Sequence, residues 1–163
     1  MLKFTLILTF LLTSVDAGKL EIFTKITNFV TSSPKKPINY ALRNKKHPKT
    51  GVHYNKHGYP NFKSIDTCDM KLSWYTINFD KFQSDSSIRS KHFDICSKKL
   101  YKKTLKNPTL KSNFSKQQLR QLRLGKTPNN FTWHHETKKN ILILVDRQTH
   151  ANSAHSGGFS LHH

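Results

Sequence analysis

One stretch limits what this chain can fold into more than any other: the C-terminal run TPNNFTWHHETKKNILILVDRQTHANSAHSGG, residues 127–158. An apolar segment ending in two histidines, residues 131–135, is followed by a short polar turn and a β-type run over residues 141–145. This pattern predicts the two strands of a hairpin. Asp146 then predicts the N-cap of a helix, because its carboxylate can accept from the amides of the next turn. The Gly157-Gly158 pair predicts where that helix ends.

Histidines are concentrated in the same stretch, since six of the ten in the chain lie from His134 onward. Neutral imidazole is a common ligand for divalent ions, and it can also act as a base near neutral pH. His134 and His135 are consecutive strand residues, so their side chains should point to opposite faces of the hairpin. We therefore expect one of them to bind a metal ion and the other to act as a general base. The spacing leaves open which is which.

The predicted C-terminal helix carries His150 and, five residues later, His155. His150 lies near the start of the helix, where its ring can reach back to the hairpin, and we expect it to be a metal ligand. In a continuous helix, His155 would lie about 140° around the axis and would not easily reach the same ion. Either the helix ends before His155 and this residue also binds metal, or His155 contacts a substrate phosphate. Arg147, in the first helical turn, is predicted to bind a phosphate.

Two motifs, in a fixed order, carry a family resemblance. The strings TPNNFTWHH, LVDRQTH and HSGG form the first motif, within residues 127–158, and GVHYNKHGYPNF forms the second, at residues 51–62. Together they resemble the HNH/endonuclease VII nucleases with a conserved Trp-His-His triplet, domains that usually form the toxic C-terminal ends of secreted bacterial toxins. The chain departs from the family pattern at Glu136, where relatives often carry another polar residue or a third histidine. It also departs at Asp146, where a proline is common.

The resemblance implies a fold, a reaction and a cofactor. It implies an α+β chain with one small domain that ends in a ββα-metal (His-Me finger) unit. The implied reaction is hydrolysis of DNA phosphodiester bonds with one divalent ion, Mg²⁺ first and Mn²⁺, Ni²⁺ or Zn²⁺ as alternatives. Within the resemblance, His134 would bind the metal and His135 would be the base. The choice of DNA over RNA rests on the resemblance alone, and an acidic immunity protein is the expected partner if the source is bacterial.

The net charge of +19, from 28 Lys and Arg against 9 Asp and Glu, indicates a polyanionic partner. Nucleic acid fits this charge best, because each phosphate that a cation neutralises releases condensed counterions. Arg120 and Arg123 are predicted phosphate contacts on the outer face of a helix. A small site whose cations bind phosphates reads the backbone, so we expect little sequence specificity. The alternative function is a non-catalytic cationic secreted protein that binds nucleic acid or anionic membrane.

The first residues, MLKFTLILTFLLTSVDA, have the pattern of a secretory signal peptide ending at Ala17. We therefore expect a secreted, extracellular protein. No later stretch approaches transmembrane length, so no stable membrane insertion is expected after the signal is removed. Cys68 and Cys96 could pair in an exported chain or remain two buried thiols, and the sequence does not choose between these states.

We expect three segments: the signal peptide at residues 1–17, a basic linker at 18–50 and the nuclease domain at 51–163. Within the nuclease domain, Gly58 and Pro60 should form a tight turn, and Trp133 should pack to fix the hairpin. The remaining patterns predict a strand over residues 70–80 and a helix over 84–106 with Ile88, Ile95, Leu100 and Leu105 on its inner face. Asn107-Pro108 should stop this helix. A shorter helix is predicted over 115–124, where Ser115 and Gln118 can form a capping box and Gly125 can end the helix.

Overall fold

The computed structural model describes residues 36–70 and 85–162, and these residues have an α+β fold, as predicted. A short 3₁₀ turn at Tyr40–Leu42 precedes the first strand. The strands are β1 (His53–Tyr54), β2 (Pro60–Asn61), β3 (Asp66–Asp69), β4 (Phe131–His135) and β5 (Ile141–Asp146). The helices are α1 (Asp85–Lys106), α2 (Pro108–Lys111), α3 (Lys116–Arg123), α4 (Arg147–Asn152) and α5 (Phe159–His162).

Strand β5 is the centre of the fold, because β3 and β4 pair with it on either side, both antiparallel. Its side chains alternate between two faces, as a strand requires. Leu142 and Leu144 pack into one hydrophobic core, and Ile143 and Val145 pack into the other. The β4–β5 hairpin predicted from the sequence is therefore confirmed, and it separates two cores.

The first core lies between the sheet and the helices α1 and α3. Trp133 is buried in this core and donates from Nε1 to the hydroxyl of Ser97 on α1, at 3.0 Å. A Cys68–Cys96 disulfide links β3 to α1. The two cysteines are therefore paired rather than free thiols, the alternatives that the sequence left open. Because the cysteines are 28 residues apart, the disulfide stabilises the fold by about 3 to 4 kcal/mol. The helix is thus fixed to the sheet by a covalent bond as well as by packing.

The inner face of α1 differs in part from the predicted one. The side chains at four-residue intervals from Ile88 onward are buried; they are Ile88, His92, Cys96, Leu100 and Thr104. Leu105 is 62% exposed, so its predicted inward position is wrong. The helix faces the core along one regular stripe that includes polar residues, whereas the prediction considered only the apolar ones.

The second core joins the β1–β2 hairpin to the other face of the sheet. Tyr54 and Phe62 are buried against it, and the predicted turn is present, with Gly58 at φ +84°. A Cβ at Gly58 would lie 2.9 Å from Tyr40 Cα, so a side chain there would collide with backbone. Pro60 pairs with Tyr54 in the register of the hairpin.

Residues 36–50 belong to the same compact unit as the rest of the described chain. Asn39 donates from Nδ2 to the carbonyl of Ser153, and Thr50 shares a hydrogen bond with the hydroxyl of Ser153 at 2.9 Å. Lys46 forms an isolated antiparallel bridge with His53. These contacts join the basic segment to β1 and to the end of α4.

The helix boundaries follow local signals in the sequence. Ser115 and Gln118 form the expected capping box at the start of α3, and Gly125, at φ +75°, follows its end. Asp146 caps α4 by accepting from the amide of Thr149 at 2.7 Å, as predicted. The sequence indicated only that Pro108 would stop a helix. In the structure this proline also begins α2, as proline can at a first helical position.

Two predictions fall outside the described residues: the signal peptide at 1–17, and nearly all of the strand at 70–80. In the described chain, the strand that pairs with β5 on the side away from β4 is the earlier segment Asp66–Asp69. Of the helices in residues 36–70 and 85–162, none is both long and apolar enough to span a bilayer.

Candidate functional site

Three imidazoles converge beside the hairpin. His134 Nδ1 lies 3.2 Å from His150 Nε2 and 3.1 Å from His155 Nε2. One ligand atom from each ring lies within 4.8 Å of the others. Of the two alternatives for His155, the geometry favours the one in which the helix ends before this residue. Helix α4 ends at Asn152, and the chain then turns and brings the His155 ring beside that of His150.

The environment of these rings keeps them neutral. Burial, followed by the neighbouring imidazoles of His155, His150 and His135, lowers the pKa of His134 from the ordinary 6.5 to about 3. Burial and the nearby His150 lower the pKa of His155 to about 4. Burial also lowers the pKa of His150. Neutral rings offer lone pairs, which is the state that a metal ion requires.

The ring of Phe62 packs against all three imidazoles of this cluster. Its ring centroid lies 5.0 Å from that of His134, 5.3 Å from that of His150 and 5.1 Å from that of His155. Phe62 closes the second sequence motif, so the second motif supports the histidines of the first. This contact gives a physical reason for the order and pairing of the two motifs.

The Gly157-Gly158 pair lets the C-terminal segment approach the hairpin. Gly158 donates its amide to the carbonyl of His135 at 2.8 Å. A Cβ at Gly158 would overlap the backbone carbonyl of Glu136, so only glycine fits there. At Gly157 a Cβ would lie 3.4 Å from His134 Cε1, a tight but tolerable contact. The pair therefore does not end α4, as the sequence suggested, but seats the chain that carries His155.

His135 faces the opposite side of β4, as the alternation of strand residues predicted. Its Nε2 lies 3.0 Å from Nδ1 of His92, a residue of α1 that is 2% exposed. The rings of Phe93 and Phe159 lie 5.8 and 5.1 Å from the His135 ring, centroid to centroid. His135 is thus enclosed by α1 on one side and α5 on the other.

A cleft of about 460 Å³ connects the two histidine environments. It is lined by His134, His135, His150 and His155, and by Arg89, whose guanidinium carbon lies 4.8 Å from the centre of the Phe159 ring. The arginines predicted to bind phosphate occupy other places. Within the described chain, none of them lines this cleft: Arg120 and Arg123 are exposed on α3, and Arg147 donates from Nε to the carbonyl of Phe131 at 3.1 Å.

Sequence reasoning did not single out His92 or Arg89. Both lie on α1, 43 residues or more before His135 in the chain, and no motif marks them. One signal was present for His92: it occupies the same four-residue series as Ile88, Cys96 and Leu100. A polar residue in a buried helical stripe indicates a specific partner, because burying it without one is costly.

The donor set fits a metal ion. A neutral imidazole nitrogen carries either one N–H or one in-plane lone pair, so His134 Nδ1 cannot make full hydrogen bonds to two rings at once. A cation shared by three lone pairs resolves this conflict, and three protein ligands with further positions open is a common arrangement at catalytic metal sites. The residues that would hold it are His134, His150 and His155.

A family model for the DNase/tRNase domain of colicin-like bacteriocins matches residues 52–157. This range contains the triad, His135 and all of both motifs except the terminal glycines Gly51 and Gly158. No curated protein and no solved structure gives a match. The family match covers most of the chain and agrees with the nuclease resemblance carried by the Trp-His-His triplet. The chain therefore belongs to the colicin-DNase family, and residues 52–157 form a nuclease domain of the toxin type.

Proposed function

We propose that this protein is a secreted toxin whose nuclease domain is a metal-dependent endonuclease of the HNH/endonuclease VII type. Its substrate is DNA, which it cuts with little sequence specificity. The observation that carries the proposal is the convergence of three neutral imidazoles on one side of β4, with a fourth, His135, beside them in the same cleft.

In this proposal the histidines divide into two roles. His134, His150 and His155 hold one divalent ion, and His135 accepts a proton from the attacking water. When bound, the ion neutralises charge on the scissile phosphate and assists the leaving oxygen. The low pKa values of the triad support this division, because rings that stay neutral keep their lone pairs for the ion at physiological pH.

The metal remains to be identified, and the donor set orders the candidates. Imidazole nitrogen suits Zn²⁺ and Ni²⁺, whereas Mg²⁺ prefers oxygen ligands and usually keeps several waters. The sequence resemblance favoured Mg²⁺. The three-nitrogen site predicts tighter binding of Zn²⁺ or Ni²⁺, so affinity and turnover should be measured separately for each ion.

Arg89 and Arg147 are the proposed phosphate contacts. Arg89 lines the cleft, and Arg147 lies at the start of α4, directly after the hairpin. Contacts to phosphates position a nucleic acid without reading its bases, which supports low sequence specificity. The net charge of +19 attracts the polyanion over a longer range. It also makes an acidic immunity protein a suitable partner if the source is bacterial.

Plasmid nicking tests the proposal. The assay compares three proteins, each incubated with Mg²⁺, Mn²⁺, Ni²⁺, Zn²⁺ or EDTA: wild type, His135→Ala and the control His57→Ala. His57 is an exposed residue of the β1–β2 turn. We expect cutting by wild type and control, loss of cutting with EDTA, and loss in His135→Ala while the metal stays bound.

Equal cutting by wild type and His135→Ala would contradict the proposed base. Tight DNA binding without cutting under any metal would instead support the non-catalytic cationic binder. The same series with tRNA as substrate tests the choice of DNA, because the matching family contains both DNase and tRNase domains. Secretion is tested by sequencing the N-terminus of the exported protein, which we expect to begin at Gly18.

A further inference from the structure

The general base proposed above has a buried partner of its own. His92 lies on the inner face of α1, 2% exposed, and its Nδ1 is 3.0 Å from Nε2 of His135. This pair lies on the face of β4 opposite the metal triad. We propose that His92 is a positioning residue that holds His135 in the tautomer and orientation needed to accept a proton, an inference that rests on the proposed function of His135.

A neutral imidazole has two ring nitrogens, one of which carries a hydrogen while the other carries a lone pair. To accept a proton at Nδ1, His135 must carry its hydrogen on Nε2. That hydrogen is then donated to Nδ1 of His92, which accepts it with its lone pair. The hydrogen bond made by one ring nitrogen thus determines what the other can do. Once His135 is protonated, the same hydrogen bond becomes charge-assisted and stabilises the cation.

The fold holds His92 rigidly. Cys96 lies one helical turn after His92 and is bonded to Cys68 in β3, and Ser97 accepts the hydrogen bond from Trp133 in β4. The helix is therefore attached to both outer strands of the sheet near His92. Phe93 and Phe159 pack against the His135 ring and restrict its rotation. A base held by a fixed acceptor loses little freedom when the substrate binds.

Three variants separate positioning from simple packing. His92→Leu keeps a buried side chain of similar size but has no hydrogen-bonding group. His92→Asn places an amide where Nδ1 stood. The control is Thr104→Val, which removes a buried hydroxyl from the same stripe of α1, 12 residues away. All three are made in the full chain, and kcat, KM and the number of metal ions per chain are measured for each.

We expect kcat of His92→Leu to fall about ten- to a hundredfold, the usual effect of removing an outer hydrogen-bonding partner, with KM and metal content unchanged. His92→Asn should recover most of the loss, and Thr104→Val should have wild-type kcat. Wild-type turnover in His92→Leu would overturn the proposal. Equal losses of kcat in the Leu and Asn variants would also overturn it, because they would indicate a packing role. Loss of a second bound metal ion in both variants would overturn it as well, because His92 would then be a metal ligand.

A measurement that does not depend on activity keeps this inference separate from the proposed nuclease function. The nitrogen chemical shifts of His135 in the metal-free protein report which ring nitrogen carries the hydrogen. We expect the Nε2–H tautomer in wild type and His92→Asn, and a mixture of tautomers in His92→Leu. An Nδ1–H tautomer in wild type would overturn the positioning role even if the protein cuts DNA. Absence of cutting with the expected tautomer would contradict only the nuclease function.

Discussion

His134 and His135 are neighbours in β4, yet they lie in two different environments. His134 faces Phe62, His150 and His155, where three imidazole nitrogens meet within 4.8 Å. His135 faces α1, where its Nε2 lies 3.0 Å from Nδ1 of the buried His92. The first environment offers converging lone pairs, which suit a cation. The second offers a buried hydrogen-bond partner to Nε2 of His135, which suits a ring that must exchange a proton.

The difference between these sides shows how one strand can place neighbouring side chains in two chemical environments. Alternation places consecutive side chains on opposite faces, so adjacent residues belong to different cores. The three histidines of the metal triad come from local chain, namely the hairpin, α4 and the segment that carries His155, and only the supporting ring of Phe62 among the contacts described above comes from the distant second motif. The side of His135 depends on α1, which is distant in sequence and fixed by the Cys68–Cys96 disulfide. We therefore expect the two proposed roles, metal ligand and general base, to respond to different substitutions.

The sharpest test of this division compares His134→Ala with His135→Ala. We expect His134→Ala to weaken metal affinity by more than about a hundredfold, beyond the range for outer partners, because a direct ligand is lost. His135→Ala should retain the affinity and lose turnover. Metal titration by calorimetry beside the nicking assay measures both quantities. Equal metal affinity in the two variants would contradict the division.

The glycine pair gives the next largest effect. Gly158→Ala should reduce the free energy of unfolding by about 2 kcal/mol, because its Cβ would overlap the carbonyl of Glu136 and the segment must move. Gly157→Ala is the matched control, and it should cost less than about 1 kcal/mol because its nearest contact is ordinary packing against His134. Urea unfolding of both variants measures the costs. The same loss in both would contradict the role given to Gly158.

The triad should make the metal-free protein sensitive to acid. The pKa values of His134 and His155, about 3 and 4, lie below the ordinary 6.5. The unfolded chain therefore binds more protons than the folded one below pH 6.5, so the stability present above that pH is lost as the pH falls toward 4 and then 3. Each ring contributes at most about 1.4 kcal/mol per pH unit in this window.

Unfolding free energies at pH 7, 6 and 5 check this expectation, with His155→Asn as the comparison. Because that variant lacks one of the imidazoles with a lowered pKa, its free energy of unfolding should fall less steeply with decreasing pH than that of the wild type. Identical slopes would show that His155 is not the source of the acid sensitivity. The comparison removes the contribution of carboxylates, which titrate alike in both proteins.

The smallest effect concerns substrate contacts around the cleft. Arg89 lines the cleft beside His135, whereas Arg120 is exposed on α3 and does not. Arg89→Gln should raise KM a few-fold and reduce the salt dependence of DNA binding by about one unit, as expected for one lost phosphate contact. Arg120→Gln should leave KM nearly unchanged. A larger effect of Arg120→Gln than of Arg89→Gln would indicate that the DNA binds along α3 rather than in the cleft.

The sequence alone predicted those parts of the molecule whose causes are local. The hairpin, the Asp146 cap and the capping box at Ser115 depend on side chains and amides a few residues apart, and all three are present. The opposite orientations of His134 and His135 follow from strand geometry alone. The family resemblance was also readable, because both motifs are short and contiguous.

Only the tertiary structure determined which residues from distant segments of the chain are in contact. It paired Cys68 with Cys96, ended α4 early enough for His155 to meet His150, and placed His92 against His135 across 43 residues of chain. Periodicity indicates which side of a helix is buried but not which residue of another element it meets. Those contacts arise when the helix and the sheet pack, and that packing decided that His134, His150 and His155 converge and that His135 lies against His92.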